Sequence, residues 1–413
     1  MSAKETIKKF IPHQLLELRA RIIYHNRVSK VLKHRVRKPF NPDSFPKGVN
    51  IMGPVKAQMG IGQCCRLLIN ELQQTGLNYS VKNYDLLGNV SNADNTYDDI
   101  LTDETPYGIN IIVMEPTELM FRCTEFDENL WNEKYNIAFW SWELEDFPKE
   151  WVPAIDLADE IWTPSEFTSD SIRKETNKKV FTLPYNVTAH TDDKYDRKYF
   201  GLPEDKFLFL IMFDFNSTMV RKNPIGAIEA YKKAFSTDDD SVGLVIKTNN
   251  TDFAKVESVK KLLEGYNNIY FITDILEKTA VNSLIKDVDV FVSLHRAEGF
   301  GIVMAEAMLN NTACIATNWS SNIEFMNKDV ACMVDYTFTV LKKDASPYRK
   351  GSKWADANTD EAAEYMKKLH DDKDYYDTLV TKAKEYIEEK LSLDSIQQLF
   401  KDRIMEIYAN NKK

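Results

Sequence analysis

Residues 293–308, Ser-Leu-His-Arg-Ala-Glu-Gly-Phe-Gly-Ile-Val-Met-Ala-Glu-Ala-Met, constrain the fold of this chain more than any other segment. They follow a short apolar run at 288–292, which is typical of a strand buried on both faces. After Gly301 the apolar residues recur at helical spacing. The segment therefore predicts a buried strand, a turn that contains glycine and the start of a helix.

The predicted turn combines groups that suit a phosphate with groups that repel one. The first N–H groups of a helix have no intrahelical partner and carry partial positive charge, and Gly299 and Gly301 let a ligand approach the backbone closely. Glu298 and Glu306 would repel a phosphate, so we expect them to accept hydrogen bonds from hydroxyl groups. A nucleotide sugar, with a diphosphate between two polyols, meets both demands. The alternative is that the two glutamates form only a solvated surface.

The pattern Glu-Gly-Phe-Gly-x-x-x-x-Glu at 298–306 resembles the signature of the retaining glycosyltransferases of family 4. This resemblance implies an α/β protein with the GT-B fold, in which two Rossmann-like doubly wound parallel-sheet domains face a deep cleft. It implies that Glu298 lies near the donor sugar and Glu306 near the nucleotide ribose. His295 would contact the sugar or the phosphate, or serve only the structure. The other donor-binding residues predicted in this segment are Gly299, Phe300, Gly301 and Ile302.

Length and charge limit the class of protein further. A chain of 413 residues exceeds what one hydrophobic core usually supports. Residues 1–45 hold eleven Lys and Arg against three acids, which leaves 42 basic and 60 acidic residues in the remainder and argues against a nucleic-acid partner. We expect a basic helical arm at 1–45, an acceptor-side domain at 46–200 and a nucleotide-sugar domain at 201–389. By the same resemblance, a C-terminal helix at 390–413 packs back on the first domain.

The N-terminal arm has two interpretations. Residues 1–40 place apolar side chains at helical spacing among basic ones, which is typical of a helix that rests on anionic lipid near a lipid-linked acceptor. The same pattern fits an arm packed on its own domain or on a second subunit, and the oligomeric state stays open. No segment resembles a membrane span or a signal peptide. The five cysteines lack metal-ligand spacing, so we expect reduced thiols at Cys64, Cys65, Cys123, Cys314 and Cys332. The protein itself is then expected in the cytoplasm, either free or attached peripherally to the inner face of the membrane.

In the first domain, two segments are candidates for the acceptor side. Gly60 and Gly62 lie between a predicted strand and a predicted helix, where the family has a glycine loop, although a lone Gly-x-Gly is a weak signal. Trp142 and Glu143 lie in the run 137–145, at the end of a predicted strand, where they would form an acceptor platform. Trp142 and its neighbour Trp140 fit core packing equally well. Family 4 members often have a histidine near the position of Glu143, so the chain departs from the family there.

In the second domain, the sequence predicts a cationic pocket. Arg221 and Lys222 stand just before Asn223 and Pro224, which predict an N-cap and the first residue of a helix. The pair suits a diphosphate and resembles the Arg and Lys pair of the family, with Asn216 where the family has its arginine. Surface charge alone is the alternative. Two further donor contacts are predicted at strand ends: Lys247, and Asp274 in the loop that would hold the base.

The C-terminal part carries three further features. Residues 317–325 resemble a family loop, with serines in place of its paired glycines. Residues 344–357 form an insertion of unknown role before a predicted amphipathic helix at 359–370. Residues 395–408 predict a last helix with an apolar stripe.

Together these features predict a retaining transferase of hexosyl type that uses a nucleotide sugar, with a UDP-sugar favoured, and a saccharide or lipid-linked glycan acceptor. Glu298, Arg221 and Lys222 are the predicted catalytic residues, and the diphosphate would be stabilised by protein groups, without a metal or another cofactor. Two other functions stay open. A GT-B epimerase would need catalytic acids in the first domain, and a non-catalytic subunit would stabilise a partner transferase.

Overall fold

The computed structural model describes residues 13–34, 38–86, 90–126, 128–215, 219–248, 253–345 and 347–410. The chain divides into two compact units. The first comprises Met1–Asn186 and Leu393–Lys413, and the second comprises Val187–Ser392.

The first unit is built on six parallel strands. They are β1 (Val49–Gly53), β2 (Tyr79–Asn83), β3 (Ile109–Val113), β4 (Tyr135–Phe139), β5 (Glu160–Thr163) and β6 (Val180–Thr182). Their order in the sheet is β2-β1-β3-β4-β5-β6. Every residue of β1, β3 and β5 is buried, as the apolar sequences of β1 and β3 predict for strands covered on both faces. From β1 the chain adds β2 on one side of the sheet and then β3 on the other, so the switch point lies between β1 and β3. The loops that follow these two strands meet at one edge.

The helices of the first unit connect these strands and cover the sheet. They are α1 (His13–His34), α2 (Gly60–Gln74), α3 (Pro116–Arg122), α4 (Glu128–Trp131) and α5 (Glu166–Arg173), with 3-10 turns at Asp98–Ile100 and Val152–Leu157. The sequence predicts the start of α5 correctly, because Ser165 accepts a hydrogen bond from the N–H of Thr168 and so caps the helix.

The second unit repeats the architecture with a second parallel sheet of six strands. These are β7 (Phe207–Phe213), β8 (Val242–Thr248), β9 (Ile269–Ile272), β10 (Val290–Ser293), β11 (Ala313–Thr317) and β12 (Cys332–Val334). Their order is β12-β11-β10-β7-β8-β9. The strands after β9 are added on the other side of β7, so the switch point lies between β10 and β7. The two parallel sheets confirm the predicted α/β class with two Rossmann-like domains.

The remaining elements of the second unit surround this sheet. The helices are α6 (Met219–Lys222), α7 (Pro224–Ala234), α8 (Phe253–Leu262), α9 (Lys278–Lys286), α10 (Ile302–Leu309), α11 (Thr359–Asp371) and α12 (Lys373–Lys390). A separate antiparallel hairpin joins β13 (Tyr336–Val340) to β14 (Lys353–Ala357). The insertion expected at 344–357 is thus partly regular, because its last residues form β14. No short turn in the sequence marks this pairing, since twelve residues separate β13 from β14.

The boundary between the units differs from the predicted boundary at 200. The polar segment before this boundary is fixed to the second unit. Arg197 donates from Nε to the carbonyl of Asp287 at 2.7 Å, and the N–H of Asp192 donates to Ser283 Oγ at 3.0 Å. The partners in each contact lie about 90 residues apart, so the composition of the segment does not reveal that it belongs to the second unit. The second unit therefore begins at Val187.

Helix α1 is packed against the first unit along its C-terminal half. Val28 and Val31 are buried, and Arg27 donates to the carbonyl of Phe121 at 3.2 Å. Leu18 and Ile22 are about half exposed. The packing interpretation thus holds for the second half of the helix, whereas residues 1–12 of the arm lie outside the described part of the chain.

The last helix, α13 (Leu393–Asn410), belongs to the first unit although it follows the second in the chain. Its stripe of Ile396, Phe400, Ile404 and Ile407 is buried, as the sequence pattern predicts. The tyrosine Tyr408 donates from its hydroxyl to the carbonyl of Gly48 at 2.9 Å. No helix in the described ranges is long and apolar enough to cross a membrane.

Candidate functional site

The candidate site of the second unit lies where β7, β10 and β11 end. The loops that follow these neighbouring strands carry Arg221 and Lys222, Glu298, and Ser320. Because the carboxyl ends of parallel strands meet at one edge, the loops converge at the point where the strand order reverses. This is the edge of an open α/β sheet at which ligands generally bind.

Asn223 fixes the cationic segment against β10. It accepts a hydrogen bond from the N–H of Gly226 at 3.3 Å, and its Nδ2 donates to the carbonyl of Leu294 at 2.9 Å. Its backbone is left-handed, with φ 52°, a conformation that asparagine tolerates. The predicted N-cap and the proline at the first helical position of α7 are therefore confirmed. The short helix α6, which carries both cations, was not predicted.

Glu298 is enclosed by the two cations. Its Oε2 lies 3.0 Å from Arg221 Nη1, and its Oε1 is paired with Lys222 Nζ. Arg221 also donates to the carbonyl of Ala297 at 2.9 Å. Burial alone would raise the pKa of Glu298, but Arg221 and Lys222 hold it well below its usual range. The glutamate is therefore ionised throughout the physiological pH range.

Two serines hold the backbone on either side of this carboxylate. The N–H of Glu298 donates to Ser320 Oγ at 2.9 Å, and Ser321 Oγ donates to the carbonyl of Glu298 at 2.7 Å. Ser320 adopts φ 73°, which is uncommon for a residue with a side chain. The serines that replace the expected glycines therefore have a definite role, which the sequence did not indicate.

Gly301 begins helix α10 in a left-handed conformation, with φ 100°. This conformation requires glycine, and a Cβ here would also displace the methyl end of Met304, whose Cε would lie 2.4 Å away. Phe300 is buried against Phe325 at a ring distance of 5.2 Å. Gly299 is buried, and Ile302 is partly exposed at the first helical position. The first turn of α10 therefore follows Glu298 at the same edge of the sheet.

Glu306 is fully buried on α10, and its partner is Lys278 at the start of α9. Lys278 Nζ lies 2.5 Å from Glu306 Oε1. Burial raises the pKa of Glu306, and Lys278 opposes this shift. Sequence reasoning missed Lys278, because it lies far from Glu306 in the chain and belongs to no motif.

The other predicted donor contacts are distributed around this centre. His295 is fully buried, and burial lowers its pKa to about 4, so the ring is neutral at physiological pH. Lys247 is buried and donates to the carbonyl of Asp274 at 2.9 Å, so it holds the loop after β9 in place. The structure thus brings Lys247 and Asp274 together, with the lysine in a positioning role. Asn216 lies outside the described residues.

The candidate residues of the first unit have mainly structural contacts. Trp142 is buried, and its ring centroid lies 4.8 Å from that of Trp151, which favours core packing over an acceptor platform. A Cβ on Gly62 would lie 2.1 Å from the carbonyl oxygen of Ala57, so close backbone packing explains this glycine. Gly60 is exposed at the start of α2, with open space around it.

Glu143 is partly buried near the carboxylate of Glu115, which follows the neighbouring strand β3. Desolvation, and then the carboxylates of Glu143 and Glu118, raise the pKa of Glu115. The acceptor-side roles of Gly60, Gly62, Trp142 and Glu143 stay predictions. In the described part of the chain, no group of three or more His, Cys, Asp or Glu is placed to hold a metal ion.

Two doubly wound units, one of which has a glutamate held by a cationic pair at its switch point, define the GT-B class of fold. Residues 192–386, slightly less than half of the chain, match the family model described as glycosyl transferases group 1. No curated protein matches the sequence.

Solved structures with the same fold include three informative relatives. HepE of Anabaena, in complex with UDP and glucose, has a TM-score of 0.63 at 12% identity, over 87% of this chain and 100% of that chain. Sucrose-phosphate synthase from Thermosynechococcus elongatus has a TM-score of 0.61 at 12% identity, over 88% and 100%. A TarM variant from S. aureus, in complex with fondaparinux, alpha-GlcNAc-glycerol and UDP, has a TM-score of 0.54 at 14% identity, over 75% of this chain and 57% of that chain. At these identities the likeness establishes the fold.

Proposed function

We propose that the chain is a retaining glycosyltransferase of family 4 that moves a hexosyl group from a UDP-sugar to a saccharide or lipid-linked glycan acceptor, in polysaccharide or glycoconjugate synthesis. The observation that carries this proposal is the Glu298 carboxylate held between Arg221 and Lys222 at the switch point of the second sheet. The match to the group 1 family model over this unit supports it, as do the UDP complexes of HepE and TarM.

Donor binding would exchange the partners of the two cations. A diphosphate offers Arg221 and Lys222 more negative charge than one carboxylate does, and the guanidinium of arginine matches phosphate oxygens in a bidentate geometry. The N–H groups at the start of α10 add partial positive charge at the same edge. As the cations turn toward the phosphates, the carboxylate of Glu298 becomes available to accept hydrogen bonds from the sugar hydroxyls.

The transfer step would depend on stabilisation of the leaving group. Negative charge grows on the diphosphate as its bond to the anomeric carbon breaks, and Arg221, Lys222 and the first turn of α10 would stabilise that charge without a metal ion. The acceptor oxygen bonds to the same face of the anomeric carbon, and the departing phosphate oxygen takes the acceptor proton. The configuration is then retained. Glu306 would hold the ribose hydroxyls, once Lys278 releases it.

UDP is expected to stabilise the protein through Lys222. A ligand present at about a hundredfold excess over its Kd adds about 2.7 kcal/mol of stability, which would raise the melting temperature of a unit of this size by roughly 5 °C or more. We expect Lys222→Ala to lose most of this shift, whereas the exposed Lys260→Ala on α8 keeps it. Differential scanning fluorimetry, repeated in EDTA, measures both the shift and its independence of metal.

The same measurement tests the non-catalytic alternative and the proposed metal independence. A protein that shows no shift with UDP, GDP or dTDP has no functional donor site, and would be a non-catalytic subunit. A shift that disappears in EDTA would contradict the proposed metal independence while leaving the donor site in place.

We also propose that α1 contacts anionic lipid through its exposed apolar residues. Leu18, Ile22 and Ile23 are 43–53% exposed on a helix from a strongly basic segment. The double variant Leu18→Asp/Ile22→Asp is expected to reduce sedimentation with phosphatidylglycerol vesicles several-fold, since it adds two charges that anionic lipid repels. Met405→Asp, an equally exposed position on α13, is the matched control. Equal sedimentation of the double variant and the unaltered protein would leave α1 with a packing role only.

A further inference from the structure

An exposed aromatic surface lies on the second unit beside the candidate site. Trp319, Tyr336 and Phe338 pack on one another, with ring centroids 5.4 Å apart for Trp319 and Tyr336, 4.8 Å for Trp319 and Phe338, and 5.1 Å for Tyr336 and Phe338. Phe338 is 44% exposed, and the other two rings are partly exposed. We call these three residues the aromatic face.

The hairpin holds this face in a fixed arrangement. Tyr336 and Phe338 are two residues apart on β13 and therefore lie on the same side of the hairpin. Their cross-strand partners are small, with Ala357 opposite Tyr336 and Ala355 opposite Phe338. Lys353 places its ammonium group 3.5 Å from the Phe338 ring centroid. The rings are thus ordered before any ligand binds, which reduces the entropy cost of binding.

The aromatic face is attached to both segments that hold Glu298. On one side, Trp319 directly precedes Ser320, whose Oγ accepts the hydrogen bond from the Glu298 N–H. On the other side, the N–H of Ala355 in β14 donates to the carbonyl of Arg296 at 3.0 Å.

An ion pair strengthens this second attachment. Arg296 Nη2 lies 2.6 Å from Asp356 Oδ1, and Arg296 Nη1 donates to the carbonyl of Val220 at 2.6 Å, next to Arg221. The hairpin is therefore linked to the loop of Glu298 and to the helix that carries the cationic pair. A ligand on the aromatic face would have a fixed position relative to the proposed site of transfer.

We propose that the aromatic face is a subsite for a saccharide acceptor chain. This inference rests on the proposed transferase function and adds to it the surface that holds the acceptor. The C–H groups of a pyranose ring carry partial positive charge and pack on the electron-rich faces of aromatic rings. The ammonium group of Lys353, which lies over one face of Phe338, supplies a donor for hydroxyl groups. The attachment to Glu298 favours a saccharide over a lipid or a protein, because the acceptor is the ligand that must lie beside the transferred sugar.

Saccharide binding by the whole protein tests this proposal. Saturation-transfer NMR with a panel of hexasaccharides of glucose, galactose and N-acetylglucosamine, at millimolar concentration, identifies a saccharide that binds. Trp319→Ala and Phe338→Ala are each expected to reduce its affinity about tenfold, as loss of a central aromatic contact commonly does. Tyr199→Ala removes a ring that is more exposed than Phe338 elsewhere on the same unit, and it is expected to leave the affinity unchanged.

The melting shift with UDP, measured on the same variants, separates this proposal from the proposed function. We expect the shift to persist in Trp319→Ala and Phe338→Ala, since neither residue belongs to the donor site. If both variants keep the UDP shift and bind the saccharide with unchanged affinity, the aromatic subsite is overturned and the transferase proposal is left intact. The aromatic subsite is also overturned if no saccharide binds the unaltered protein. It is overturned as well if Trp319→Ala and Phe338→Ala keep saccharide binding but lose sedimentation with vesicles.

Discussion

Replacement of Glu298 by glutamine is expected to lower turnover on the order of 10²-fold, the scale seen when one preorganised polar group is removed from an active site. Glutamine keeps the size of the side chain but carries no charge, so it accepts hydrogen bonds from sugar hydroxyls less strongly. UDP release from a panel of UDP-sugars, followed with and without acceptor saccharides, measures the effect. Glu388→Gln, an exposed change on α12, is the control and should retain full turnover.

The affinity for UDP distinguishes a role in transfer from a structural role. In the free protein, the Glu298 carboxylate competes with the diphosphate for Arg221 and Lys222. Its neutralisation should therefore leave UDP affinity unchanged or increase it, while turnover falls. A parallel loss of UDP affinity and turnover would mean that Glu298 only maintains the shape of the loop. The melting temperature without ligand shows whether the variant is folded, because Arg221 loses a buried partner.

The sequence predicts the local structure around the candidate site because the relevant residues lie in recognisable turns. Glu298, Gly301 and Asn223 each lie at a junction between a strand and a helix, and such junctions follow from apolar runs, glycines and capping residues. The parallel sheets follow from the alternation of buried strands and helices. These features depend on neighbours within a few residues.

The partners of these residues could not be predicted in the same way. Lys278 reaches Glu306 and Ser320 reaches Glu298 only because the parallel sheet brings separate strand ends together. The hairpin of β13 and β14 could not be predicted either, because no short turn between its strands marks the pairing. Trp142 shows the same limit: the sequence fits an acceptor platform and core packing equally well, and only the tertiary structure shows that its ring is buried against Trp151.

A buried ion pair explains how the C-terminal helix stays attached to the first unit. Arg403 on α13 donates from Nε to Glu160 Oε1 at 2.8 Å, and its Nη2 is paired with Oε2. Trp162 and Tyr135 also donate to Glu160, each at 2.9 Å. Glu160 is fully buried, so its charge is balanced entirely by these neighbours. The carboxylate therefore joins two strands of the sheet to the helix.

Replacement of Glu160 by alanine is expected to destabilise the first unit by about 3–5 kcal/mol, because Arg403 loses its buried partner and keeps only the partly exposed Glu406. Calorimetry of the full chain should show the transition of that unit lowered by roughly 10 °C. Asp377→Ala breaks an exposed pair with Lys373 on α12 and should change stability by less than about 1 kcal/mol. The double variant Glu160→Leu/Arg403→Met removes both charges and should recover most of the loss, since apolar replacements of buried ion pairs are commonly neutral or stabilising. If the double variant were as unstable as Glu160→Ala, the loss would come from packing at β5 and not from the broken pair between Glu160 and Arg403.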